Sequence, residues 1–139
     1  MNNARKRILI SDCDSEILIA LERMLEDEGF DTTTACSTEE TLLLLQSRDF
    51  DLVLVADHPP EIDCERVLHS VAGSTPVVAT ENVPRHPFAE ELLLSRGARR
   101  VVHKWEQQEV HDAVNDVLFG RCGEMAKSAV AATGQVGVS

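Results

Sequence analysis

Apolar runs of strand length alternate five times along the chain with segments in which apolar residues recur every three to four positions. This alternation predicts a parallel sheet with helices on both faces, because parallel neighbours need a crossover and a helix is the usual one. The first run is residues 7–11 (RILIS). Behind it, Ile17, Ala20, Leu21, Met24 and Leu25 keep helical spacing, with Asp14 placed to cap the helix start and Gly29 placed to end it. A threonine-rich strand is expected over residues 31–35, at a sheet edge. It leads into a capping box of Ser37 and Glu40 and a helix carrying Leu42 to Leu45.

The third run, Leu52 to Val55 or Ala56, is continuously apolar, as a central parallel strand buried on both faces should be. Asp63 is placed to cap a short helix through Val67, Leu68 and Val71. Residues 76–80 form the fourth strand, and VPRHP (83–87) makes an irregular loop. A helix through Leu92 to Leu94 follows and stops at Gly97, and residues 101–103 make the fifth strand. In the last helix Val110, Ala113, Val114, Val117 and Leu118 share one face up to Gly120. The expected fold is therefore α/β, a doubly wound sheet of five parallel strands with helices on both faces. Residues 1–5 read as an N-terminal flank, 6–119 as the domain and 120–139 as a flexible C-terminal tail, since the tail is small, lacks an aromatic and has no strong apolar period. An amphipathic helix at 125–132 is the alternative for the tail, and no output domain is expected after it.

Composition narrows the function. At 139 residues the chain suits one domain with a core, not two. Its 13 Lys and Arg against 24 acids, a net charge of -11, argue against nucleic acid as a partner, which calls for concentrated basic charge. The basic triplet Arg5, Lys6, Arg7 reads as a solubilising flank. Cys13, Cys36, Cys64 and Cys122 form no paired spacing, so reduced thiols are expected, not zinc or disulfides. Neither a signal peptide nor a membrane span is expected, which points to a cytoplasmic protein with no membrane partner.

In an open parallel sheet, ligands meet the carboxyl ends of the strands. Here those ends supply Asp12, Cys13 and Asp14; then Ala56, Asp57 and His58; then Thr80; and finally Lys104 with Trp105. With RILISDCDSEI at 7–17, DLVLVADHPPEID at 51–63, PVVAT at 76–80 and GARRVVHK at 97–104, the chain resembles the receiver domain of bacterial response regulators over residues 6–119.

The resemblance implies a flavodoxin-like sheet with strand order 2-1-3-4-5 and a phosphoryl pocket, and residue by residue it implies a degenerate pocket. Asp12 matches the first metal-site acid, but Cys13 stands where the second belongs. Ala56 falls at the phosphoacceptor, Thr80 at the switch hydroxyl and Lys104 at the phosphoryl-contacting lysine. Val101 replaces the switch aromatic, and Trp105 replaces the proline that commonly takes a cis bond after the lysine. A methyl group cannot attack phosphorus. With a thiol and a methyl in place of two carboxylates, magnesium loses the oxygen ligands it prefers, so no cofactor is expected. Asp12 and Lys104, deprived of their usual network, are free to pair with each other.

The resulting expectation is an atypical single-domain receiver, not an enzyme, that binds a signalling protein such as a histidine kinase or a downstream effector without being phosphorylated, with a homodimer as a further option. Val101 and Trp105 mark its switch and partner face. The alternative is a working phosphorelay receiver that accepts the phosphoryl group on Asp57, with magnesium held by Asp12 and Asp57. Alternation along a strand opposes it, because Asp57 and Ala56 point to opposite sides. Two smaller options are a transition-metal cluster of His58, His103, Cys13 and Asp57, which no spacing supports, and a redox-sensitive Cys13 at a helix start. A hydrolase or flavin binder on the same topology lacks both a nucleophile elbow and a phosphate-cradling glycine loop.

Overall fold

The computed structural model describes residues 5–71, 73–82 and 87–120 of the 139. The tail from 121 onward, with its alternative helix at 125–132, residues 1–4 of the flank and most of the VPRHP loop lie outside the described residues. The elements are β1 (Arg7–Ser11), α1 (Ser15–Asp27), β2 (Asp31–Ala35), α2 (Thr38–Ser47), β3 (Leu52–Ala56), α3 (Cys64–Val71), β4 (Val77–Glu81), α4 (Pro87–Ser95), β5 (Arg100–His103) and α5 (Gln107–Phe119). All four strand pairings are parallel, as the alternation predicted, and give the order β2-β1-β3-β4-β5 that the resemblance implied.

The chain's own punctuation sets these boundaries. Asp14 accepts from the Glu16 backbone N–H at the start of α1, and Gly29 takes a φ of 97° just beyond its end. Asp63 accepts from the backbone N–H groups of Glu65 and Arg66 at the start of α3. The capping box is only half formed. Ser37 Oγ accepts from the Glu40 N–H, but the Glu40 carboxylate reaches past Ser37 to the backbone N–H of Cys36. Two strands differ by one residue from the sequence reading: β4 is shifted to Val77–Glu81, and β5 begins one residue earlier, at Arg100, and ends at His103 as expected. The backbone N–H of Lys104 donates to the Glu81 carbonyl, so β4 stays paired beyond its last apolar residue.

Strand alternation sorts the core into two layers. Ile8, Ile10, Leu52, Leu54, Val78 and Val102 face α1 and α5, meeting Ile17, Leu21, Leu25, Val110, Ala113 and Val114. On the opposite side Leu9, Val53, Val55, Val77 and Ala79 meet Val67, Leu68 and Leu93 from α3 and α4. β3 is buried along its whole length, as its unbroken hydrophobicity required. β2 lies at the edge, where Arg48 donates to Thr33 Oγ1 and Thr32 Oγ1 donates to Glu26, so side chains screen the exposed rim. No helix among the described residues is long and apolar enough to cross a membrane.

Candidate functional site

The site is assembled where the chain leaves β1, β3, β4 and β5. Ser11 aligns with Val55, and Ala56 aligns with Thr80, so Asp12, Ala56 and Thr80 lie side by side across the sheet tips. Asp12 is almost fully buried, which is costly for a carboxylate unless it is matched. Its Oδ1 accepts from the backbone N–H of Asp14, fastening the first turn after β1. Its Oδ2 lies 2.7 Å from Lys104 Nζ, a contact of opposite charges without hydrogen-bond alignment. Both side chains are nearly dry, at 1% and 6% exposed, so this is a buried ion pair. Since β3 and β4 lie between β1 and β5 in the sheet, the pair closes over the tips that carry Ala56 and Thr80.

Ala56 is fully buried and continues the alternation of Leu52 and Leu54. Asp57 is half-exposed, one residue further on, and its backbone N–H donates to the Thr80 carbonyl at 3.2 Å. By alternation its side chain leaves the strand on the side opposite the Ala56 methyl. Cys13 is exposed, and its thiol is pushed up from the ordinary value of 9.0 by partial burial and then by the charge of Asp12. That direction disfavours the thiolate and counts against a redox-primed Cys13. The imagined transition-metal cluster does not gather. His58 faces Glu61, and His103 Nδ1 lies 3.0 Å from Glu109. Among the described residues no group of three or more His, Cys, Asp or Glu side chains is placed to hold a metal ion.

Magnesium, which the resemblance implies, needs several oxygen donors in near-octahedral order. At these tips one Asp12 oxygen is engaged by a backbone N–H, the other is neutralised by Lys104, and the flanking positions offer a thiol and a methyl. The residues present do not fit the ion.

The loop from 57 to 63 is tied to the start of α2 and to itself by hydrogen bonds. Thr38, buried at the start of α2, donates from its hydroxyl to the Glu61 carbonyl and accepts from the Asp63 N–H, while its own N–H also donates to Glu61. His58 and Ile62 exchange backbone hydrogen bonds at 3.0 Å within the loop. One helical turn further, Thr41 donates to the Ser37 carbonyl, which leaves Ser11 Oγ to donate to Thr41 Oγ1 at 2.7 Å. Neither threonine stood out in the sequence. Their only trace is polar side chains on a helix whose other inward positions are leucine. The cis peptide bond among the described residues joins Pro59 to Pro60, within this loop.

Trp105 lies in the turn before α5, which starts at Gln107. Its ring is 53% exposed, and Nε1 donates to Asn82 Oδ1 at 2.8 Å, bracing the end of β5 against the end of β4. Val101 is half-buried against the α3–α4 layer.

Solved structures with this arrangement are response-regulator receiver domains. The signal receiver domain of the putative response regulator NarL from Mycobacterium tuberculosis superposes with a TM-score of 0.75 at 21% identity, covering 86% of this chain and all of that one. The chemotaxis protein CheY4 of Vibrio cholerae gives 0.74 at 21%, over 83% of this chain and 100% of that one. TrrA of Thermotoga maritima, solved in complex with Mg(2+)-BeF, gives 0.71 at 25%, over 81% and 99%. No protein-family model and no curated protein matches the sequence. The likeness establishes the fold: this chain has the CheY-like, flavodoxin-like receiver architecture.

Proposed function

We propose that this chain is an atypical receiver that serves two-component-type signalling as a protein-binding module and is not switched by phosphorylation. The observation that carries the proposal is the buried Asp12–Lys104 pair closed over a strand tip that ends in Ala56. A receiver that accepts phosphate needs a carboxylate nucleophile, a metal to neutralise developing charge and a lysine available to the phosphoryl oxygens. Here the nucleophile position carries a methyl, the metal donors are depleted, and the lysine is already committed to a neighbouring acid. The protein on this reading has no cofactor and no turnover of its own. It works in the cytoplasm and meets a histidine kinase or a downstream effector through the β5 side, where Trp105 offers a half-exposed ring held at a fixed angle by Asn82.

Intact mass after incubation with magnesium and acetyl phosphate tests this, with an ordinary receiver in parallel as a positive control. No adduct is expected on this chain. A phosphoryl adduct that disappears in Asp57→Asn would reject the proposal and establish the phosphorelay alternative, in which Asp57 replaces Ala56 as acceptor.

A further inference from the structure

The structure assigns a second role to the outward stripe of α2 and the groove beside it, between α2 and α3. We infer that they form a self-association surface whose occupant is the same surface of a second copy of this chain, the Leu43 stripe of each copy seated against the groove of the other. A helix that covers a core hides one apolar stripe and presents polar residues outward. α2 does neither cleanly. It carries leucine at four consecutive positions, 42 to 45, yet the residues it buries fully are Thr38 and Thr41. Leu42, Leu44 and Leu45 are half-buried, and Leu43 is 66% exposed. Glu39, Leu43 and Gln46 follow one another at three- and four-residue spacing and make the outward stripe, with Leu42 at its margin. Beside it lies a groove of about 570 Å³ in which two leucines, Leu42 and Leu68, sit among polar residues that include Asp63, Glu65, Arg66 and Arg96.

Charge selects the occupant. A chain of net charge -11 repels its own copies over most of its surface, as the exposed run Glu26, Asp27, Glu28 at the end of α1 shows. The groove is different, because its rim carries both signs. Arg66 pairs with Glu39 at 3.2 Å and Arg96 with Glu65 at 2.6 Å, and both arginines are half-exposed. A two-fold contact must be complementary to itself, and a patch with leucines flanked by matched opposite charges meets that requirement. Exposed ion pairs contribute little within one molecule, so Arg66 and Glu39 can exchange partners across the contact at small cost. The acid Asp63 is no obstacle, since it is engaged in capping α3. The groove is built from α2, α3 and the end of α4, and Trp105 is not among its lining residues, so one copy can use both surfaces.

Sedimentation of the whole chain up to roughly 0.5 mM tests the inference, a range that would reveal even a weak specific contact. A reversible monomer–dimer equilibrium is expected. Leu43→Glu should weaken it by about tenfold or more while leaving the unfolding midpoint unchanged, because the side chain is exposed. Leu43→Gln serves as the second variant should the new charge disturb the helix. Arg66→Glu and Glu39→Arg should each weaken self-association, and mixing the two variants should restore dimers. A monomer throughout, or a dimer indifferent to Leu43→Glu but lost in Trp105→Ala, overturns the inference. Neither result bears on phosphoryl acceptance, so this proposal and the phosphorylation-independent reading fail separately.

Discussion

The two faces of the sheet are built by different rules. On the α1–α5 face, the helices bury aliphatic side chains alone: Ile17, Leu21 and Leu25 from one, and Val110, Ala113 and Val114 from the other. On the opposite face, α2 buries threonines and leaves its leucines partly in water. The first face works mainly by removing apolar area from water, which is strong and undirected. The second buries an aliphatic layer of its own under α3 and α4, and α2 adds directed hydrogen bonds to it, with Thr38 gripping the loop after β3 and Thr41 gripping the end of β1. Burial makes a scaffold, whereas polar ties position particular loops. The division places the positional constraints around the candidate site and the bulk stability behind it.

The largest expected effects test the two kinds of buried partnership. Asp12→Ala should destabilise by about 3–5 kcal/mol, because it strands a buried ammonium, and adding Lys104→Met should recover most of that loss. Denaturant unfolding of the single and double variants measures both; a recovery of nothing would mean that the ion pair is not what holds Lys104. On the aliphatic face, Leu54→Ala should cost about 2–5 kcal/mol in the same assay through transfer and cavity terms.

Thr38→Val, which keeps the shape and deletes the hydroxyl, should cost about 1–3 kcal/mol, because the Asp63 N–H is left without its acceptor. Hydrogen exchange should rise selectively at residues 61 to 63, whereas a change spread evenly over the domain would contradict a local tie.

The smallest effect is pH-dependent. His111 Nδ1 faces Asp112, and Nε2 lies 3.0 Å from Glu28 at the end of α1. The hydrogen bond that the ring donates to Asp112, joined by Glu28 and only partly opposed by burial, raises its pKa above the ordinary 6.5. Folding therefore favours the protonated ring. The stabilisation is complete below the ordinary value and disappears as pH climbs through the raised folded value. Because these groups are partly exposed, the difference between the parent and His111→Gln should be only about 0.2–1 kcal/mol at acidic pH. It should vanish at alkaline pH, and a gap that widens with pH would reverse the assignment.

Much of the fold was written in the chain, and specific residues show why. Asp14, Gly29, Asp63 and Gly120 bracket helices as backbone chemistry requires, and the unbroken run of β3 could belong only in the middle of a sheet. The proximity of Asp12 and Lys104 was also legible, because both sit at strand ends that the topology brings together. What escaped the sequence was polar and long-range. Glu81 looked like loop, yet it is buried and prolongs β4. The role of Thr38 depends on carbonyl and amide groups 23 and 25 residues away. Hydrophobic periodicity carries no information about such bonds, since a buried hydroxyl and an exposed one read alike in the pattern.

Trp105 makes the protein its own optical gauge. It is the only tryptophan, and the chain has no tyrosine, so near-ultraviolet-excited emission comes from one indole at a known place. With Nε1 tethered to Asn82 and half the ring facing solvent, the colour of that emission reports the joint between the β4 and β5 ends. Any molecule that settles there or pries the joint apart announces itself without a label.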